Sequence, residues 1–200
     1  MSSTQGSDMT KRLMVQTLKK LMAKKPLAKI SVKEITEESG VKRQTFYYHF
    51  EDIYDMLRWM YQEEAVKFVS EYEGPLLWQD GILKLFRYIE ESREISLNTL
   101  NSLGHRYLKR FFYNDVHAAV EKTFESVAGD KAEIPEKYKK FLIHYFSISM
   151  AALIESWLLG DIDLKPEEII KYIDTILKDQ INGGMLRIER NPRYQDNIIT

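Results

Sequence analysis

Apolar positions recur along this chain with helical rather than alternating spacing. Met14, Leu18, Leu21 and Met22 fall at i, i+4, i+7 and i+8, one stripe of a 3.6-residue period, and Pro26 ends that run. Ser31 stands three residues before Glu34, the spacing at which a serine hydroxyl and a glutamate carboxylate cap each other's backbone amides, so a helix is expected to start at Ser31. Val32, Ile35 and the methyl side of Thr36 form its inward stripe. Gly40 can adopt the left-handed conformation that closes such a helix, and Val41 is placed to pin the turn to the core. Phe46 and Phe50, four apart, define the inward face of a second short helix.

Beyond this pair the pattern predicts a long helix over about residues 52–72, broken at Gly74-Pro75, because proline cannot continue a helix and glycine favours the turn. Further helices are expected over about 79–91, 94–103, 105–127, 135–159 and 166–182, with proline early in the last two. Gly183-Gly184 is expected to close the last one. No strand pair and no internal repeat is found. The expectation is an all-α chain of about nine helices, with an N-terminal three-helix head and a C-terminal helical bundle.

Residues 31–50 carry the most chemistry. A capped helix, a glycine turn and a second helix make the layout of a helix-turn-helix. With Phe46 and Phe50 turned inward, Lys42, Arg43, Gln44, Thr45, Tyr47, Tyr48 and His49 project elsewhere, and most of them can donate hydrogen bonds. Charge sharpens this reading. Residues 1–50 hold ten Lys or Arg against four Asp or Glu, net +6, while residues 51–200 hold nineteen against twenty-six, net −7. A near-neutral total of −1 therefore hides a basic head on an acidic body, which favours docking of the head alone on a phosphate polymer.

At this point the sequence resembles the TetR-type transcription regulators. Gly40-Val41 and then Thr45-Phe46-Tyr47-Tyr48-His49-Phe50 are similar to that family's signature of threonine, an apolar residue, tyrosine, any residue, histidine or an aromatic, and phenylalanine. The likeness covers about the first sixty residues; the remainder is similar in architecture only. One position departs: where the family commonly has a phosphate-binding lysine near the start of the fourth helix, this chain has Ile53. The run Tyr47 to Asp55 is also similar to the branch that includes regulators of dihydroxyacetone kinase operons.

The resemblance implies a homodimer that binds a palindromic double-stranded operator, most often as a repressor, and responds to a small-molecule effector. The branch and Ile53 point to an alternative, an activator that depends on a protein co-regulator; a helical interaction module without DNA binding is a further one. The domain boundaries expected are a disordered arm over 1–9, a helix-turn-helix domain over 10–51, an effector-binding and dimerisation domain over 52–182, and a tail over 183–200.

Within the reading helix, Arg43 and Gln44 are the candidates for base edges, through bidentate pairing to guanine and adenine. Lys42, Thr45, Tyr48 and His49, with Lys33 on the supporting helix, are read as phosphate contacts that set register. Tyr47 can serve either role or pack. In the body, Ser149, Met150, Leu153 and Trp157 recur at helical spacing, as do Ile169, Ile173, Ile176 and Leu177, so two copies can form a four-helix bundle. The same stripes can instead fill the monomer core. Aromatic residues suited to an apolar ligand cavity are Trp78, Phe86, Tyr107, Phe111 and Tyr145, with Asn101, His105 and His144 as orienting groups, although each of these can also serve as packing.

Other classes are disfavoured. The chain lacks a phosphate-cradling glycine loop, a Gly-x-Ser-x-Gly elbow, a His-Glu-x-x-His helix and any cysteine, so catalysis is not expected and neither cofactor nor metal is implied. The absence of cysteine fits a reducing, cytoplasmic compartment. MSSTQGSD has no apolar core and does not read as a secretory signal. Phe141 to Leu159 approaches the length of a membrane span but contains His144 and Glu155 and lacks a basic flank asymmetry, so it is read as a core helix and no membrane is expected.

Overall fold

The computed structural model describes residues 2–67, 78–128 and 135–190. In chain order these form α1 (Ser2–Met22), a 3-10 turn (Leu27–Lys29), α2 (Val32–Ser39), α3 (Arg43–His49), α4 (Ile53–Tyr61) and a π-helical turn (Gln62–Val66). There follow α5 (Trp78–Glu91), α6 (Arg93–Ala128), α7 (Glu136–Leu159) and α8 (Pro166–Arg190). No strand occurs among the described residues, and the fold class is all-α as expected.

Local chemistry sets the boundaries in the head. The Ser31 hydroxyl accepts from the Glu34 N–H at 3.3 Å, and the Glu34 carboxylate accepts from the Ser31 N–H at 2.9 Å, which closes the capping box. Gly40 ends α2 at φ 67°, and Val41 returns its N–H to the Thr36 carbonyl at 3.1 Å. Asp52 caps α4 by accepting from the Asp55 N–H at 2.8 Å. These bonds answer backbone groups that a helix end leaves open.

Two apolar clusters hold the chain together. Met14 and Leu18 of α1, Ile35, Phe46, and Met56, Leu57 and Met60 of α4 are wholly buried in the head cluster. Phe86, Leu100, Trp157 and Ile169 centre the body cluster, where Phe86 and Trp157 meet edge to face at 5.0 Å. Leu85 and Tyr88 of α5 pack on both clusters, so α5 joins the halves. Arg87 pairs with Glu167, and Gln79 donates to Asp174 at 3.0 Å, which ties α5 to α8. At the end of α7, Gly160 turns the chain at φ 88° while the Trp157 indole N–H donates to the Leu164 carbonyl at 2.9 Å.

Several elements differ from the sequence pattern. Residues 2–9, expected as an arm, begin α1, supported by an Asp8–Arg12 pair one turn apart and by Thr10 donating to the Gly6 carbonyl. The two helices expected over 94–103 and 105–127 are one, α6, and α8 continues past Gly183-Gly184 to Arg190. A glycine costs a helix about 1 kcal/mol relative to alanine and does not forbid it; the packing of α6 along α7 outweighs that cost. The helix expected over 52–72 departs from α-geometry at the π-helical turn. The Gly74-Pro75 break and residues 191–200 lie outside the described residues.

By length and composition α7 is able to cross a membrane, and 28% of its most apolar stretch is buried in the chain. Ile143, Ser147, Glu155, Trp157 and Leu158 of α7 face the protein interior.

Candidate nucleic-acid interface

The second helix of the turn motif is anchored by one face and free on the other. Phe46 is wholly buried, Phe50 lies 5.8 Å from it, and Phe50 meets Trp59 of α4 at 6.0 Å. These aromatic contacts fix the roll of α3 about its own axis. On the other side Lys42, Arg43 and Gln44 are exposed at its N-terminal end, and Tyr48 is 81% and Tyr47 50% exposed. Thr45 and His49 are half-buried at the edge.

Arg43 is already oriented. Its Nη2 donates to the Tyr47 hydroxyl at 3.3 Å, and its guanidinium lies 5.6 Å from that ring's centre. Tyr47 is itself set edge-on against Phe46 at 5.4 Å. A planar donor fork held at the helix start is suited to bidentate pairing with a guanine edge. Burial, aided by the nearby Lys11 ammonium, lowers the pKa of His49 below its ordinary value, so at neutral pH it presents a neutral imidazole with a single N–H donor. Lys33 is exposed and stands 3.7 Å from Glu37, an exposed i,i+4 pair that holds it weakly.

Sequence reading missed Lys11, whose ammonium sits 5.3 Å from the Trp59 ring centre and 5.9 Å from that of Phe50. Only folding brings α1 beside the end of α3, so no local signal marks it. Ile53 packs against the head cluster, and its hydrocarbon side chain has no donor to offer a phosphate. Lys25 pairs with Glu34 across the connection from α1 to α2, and the Glu34 carboxylate is lowered to about 2 by its hydrogen bonds from Lys25 and then Ser31.

The residues expected to line a ligand cavity are divided. Trp78 and Phe86 lie in the body core, and the Trp78 indole N–H is buried without a hydrogen-bond partner among the described residues. Asn101, His144 and Tyr145 are exposed; His144 Nδ1 is 2.6 Å from the Tyr113 hydroxyl, and Tyr145 stacks on Phe141. The side chains of His105, Tyr107 and Phe111 lie outside the described residues.

The residues expected at a dimer surface are divided too. Trp157, Ile169 and Leu177 are buried in their own chain, and Met150, Leu153 and Ile173 pack partly against the same cluster. Ser149 and Ile176 are exposed. Among the described residues, apolar side chains left exposed include Phe141, Tyr145 and Ile148 of α7 and Tyr172 and Ile176 of α8, with Phe141 60% and Tyr145 54% exposed. Because α7 is apolar on nearly every side, periodicity does not tell its inner stripe from its outer one.

A capped three-helix head with a solvated donor-rich helix, carried on a helical body, defines a helix-turn-helix DNA-binding transcription regulator. The family model for bacterial regulatory proteins of the tetR family matches residues 15–59, and the model for a transcriptional regulator C-terminal region of the TetR type matches residues 77–179. The chain belongs to the TetR family of transcriptional regulators.

One relative is the HTH-type dhaKLM operon transcriptional activator DhaS of Lactococcus lactis subsp. lactis (strain IL1403), 28% identical over 87 residues. That match covers 44% of this chain and 46% of the relative, so it spans less than half of the relative's length. A solved structure of dihydroxyacetone kinase operon activator DhaS shares the fold, with a TM-score of 0.67 and 23% identity over 86% of this chain and 96% of that one.

Proposed function

We propose that this regulator acts as a homodimer, each copy laying α3 in the major groove of one half of a partly palindromic operator. The observation that carries the reading is the set of exposed donors Lys42, Arg43 and Gln44 on a helix whose opposite face is locked by buried Phe46. The net +6 of residues 1–50 supplies the attraction to phosphate. In this reading Arg43 and Gln44 meet base edges, Tyr47 steadies Arg43, and Lys33, Lys42, Thr45, Tyr48 and His49 meet the backbone. The exposed apolar face of α7 and α8 meets its copy, joined by Ser149.

The body is the effector-binding half, and its occupant shifts the balance between DNA-competent and incompetent arrangements of the heads. The indole N–H of Trp78, buried and without a hydrogen-bond partner among the described residues, supports this, since such donors in a core are few. The reading assigns no catalytic group and no cofactor to the chain, and it places the protein in the cytoplasm with the DNA it reads.

A second reading concerns the sign of regulation. The Lactococcus relative is an operon transcriptional activator, which favours activation over the repression implied by the family at large. Titration of labelled duplex DNA at low and physiological salt tests the shared core of both readings. Saturation at two chains per duplex, with affinity falling steeply as salt rises, is expected; salt-insensitive or absent binding overturns it.

A further inference from the structure

Asn98 lies on α6 in the body, yet its side chain is bonded mainly to the head. Its amide nitrogen donates to the Met22 carbonyl at 2.7 Å and to the Lys25 carbonyl at 2.8 Å, and its amide oxygen accepts from the Leu27 N–H at 2.8 Å. The same oxygen accepts from the Ser102 hydroxyl, one turn along α6, at 3.2 Å. A carboxamide offers two donors and two acceptor sites, and all are engaged. The Met22 carbonyl belongs to the end of α1, where the helix supplies no partner of its own. A side chain from the body therefore closes the end of a head helix.

A second polar tie holds the same helix one turn earlier. Lys19 of α1 pairs with Glu64 in the π-helical turn, and Glu64 also accepts from the Tyr88 hydroxyl of α5 at 2.8 Å. Thus α1 is gripped at two levels by groups outside the head. From α1 the path to the reading pair is short: Lys25, whose carbonyl Asn98 holds, also pairs through its ammonium with Glu34 in the first turn of α2. Polar contacts made to order in a partly buried seam fix geometry more than apolar packing does, because each bond is lost if the partners slide.

The geometry points to Asn98 as a positioning residue that sets the angle at which the body presents the reading head. α6 is one helix of 36 residues, with Asn98 near its start and its later turns packed along α7, so a displacement of α6 along its axis reaches Met22, Lys25 and Leu27 directly. The tie itself stands on these contacts alone; its consequence for DNA rests on the function proposed above.

The chain has no native cysteine, which allows the tie to be tested in the full-length protein. Spin labels on Glu38→Cys in α2 and Glu91→Cys in α5, both exposed and diluted with unlabelled chain, report the distance from head to body. The parent is expected to give one narrow distance. Asn98→Ala and Asn98→Asp are both expected to broaden it, because aspartate keeps the acceptor but has no donor for the two carbonyls; Ser102→Ala, which leaves the bonds to the head, is expected to keep it narrow. Helix content by circular dichroism should stay unchanged in all three.

A distance as narrow in Asn98→Ala as in the parent overturns the proposal, and so does loss of helix content in both Asn98 variants, which would make the residue one of stability. A random-sequence duplex pool at low salt forms the second arm. If the head samples the competent angle a tenth of the time, apparent affinity falls about tenfold. Broadened distances in a protein that binds no duplex at all would sustain the tie and refute DNA reading.

Discussion

Lys25 and Glu34 form an ion pair that joins the turn after α1 to the first turn of α2, and the same carboxylate completes the capping box on Ser31. One side chain thus seats the supporting helix on α1 and closes its N-terminal end. Its carboxyl, lowered to about 2, makes this arrangement sensitive to acid.

The sign follows from linkage. A carboxylate held below its ordinary 4.5 contributes stability above that value and loses it as pH falls towards about 2. Thermal unfolding of the parent should therefore lose midpoint over that interval faster than Glu34→Gln, which keeps a capping acceptor without the charge. Parallel profiles for the two proteins would show that the pair does not contribute.

The caps of α2 make separate contributions. Ser31→Ala removes the hydroxyl acceptor for the Glu34 amide and should cost about 1 kcal/mol in denaturant unfolding. Gly40→Ala should cost about 1–2 kcal/mol from backbone strain alone, since a methyl there meets nothing within 4 Å while φ is 67°. A neutral Gly40→Ala would contradict the left-handed turn.

The outward face of α7 should govern association. Phe141→Glu combined with Tyr145→Glu places charge on the uncovered stripe and is expected to shift sedimentation from dimer to monomer with helix content intact. Trp157→Ala, which empties the body core, should instead lower stability by about 3–5 kcal/mol. A double variant that remains dimeric would move the interface elsewhere.

His49 should make DNA affinity depend on pH. Its imidazole, held below its ordinary 6.5 by burial and then Lys11, is neutral at pH 7 and gains a proton only in more acidic solution. Affinity for duplex should rise as pH falls below 6.5, and His49→Gln should flatten that rise. Stability moves the other way, because the unfolded chain takes up the proton first. Equal pH dependence in parent and variant would remove His49 from the phosphate contacts.

How much of this was legible in the sequence depends on the distance over which each feature is decided. Ser31 with Glu34, Gly40, and Phe46 with Phe50 are local, so spacing alone located the turn motif and the side that faces outwards. The break expected between residues 103 and 105 and the stop expected at Gly183-Gly184 misled, because helix propensity is a weak term that tertiary packing overrides. The inner and outer stripes of α7 were not separable, since apolar residues stand on nearly every side of it. Asn98, Glu64 and Lys11 carry no local signature; each acquires its role from a partner far along the chain, Met22, Lys19 and Trp59.

The central claim, that α3 reads bases with Arg43 as one of its readers, is tested most directly by selecting bound duplexes from a random pool with the parent and with Arg43→Ala in parallel. The account predicts a palindrome for the parent. For the variant it predicts the same palindrome with one position relaxed symmetrically in each half-site and a loss of about 1–3 kcal/mol. A parent that enriches no sequence contradicts the reading of α3 as a recognition helix, and a variant that loses affinity equally for all sequences reassigns Arg43 to the phosphate backbone.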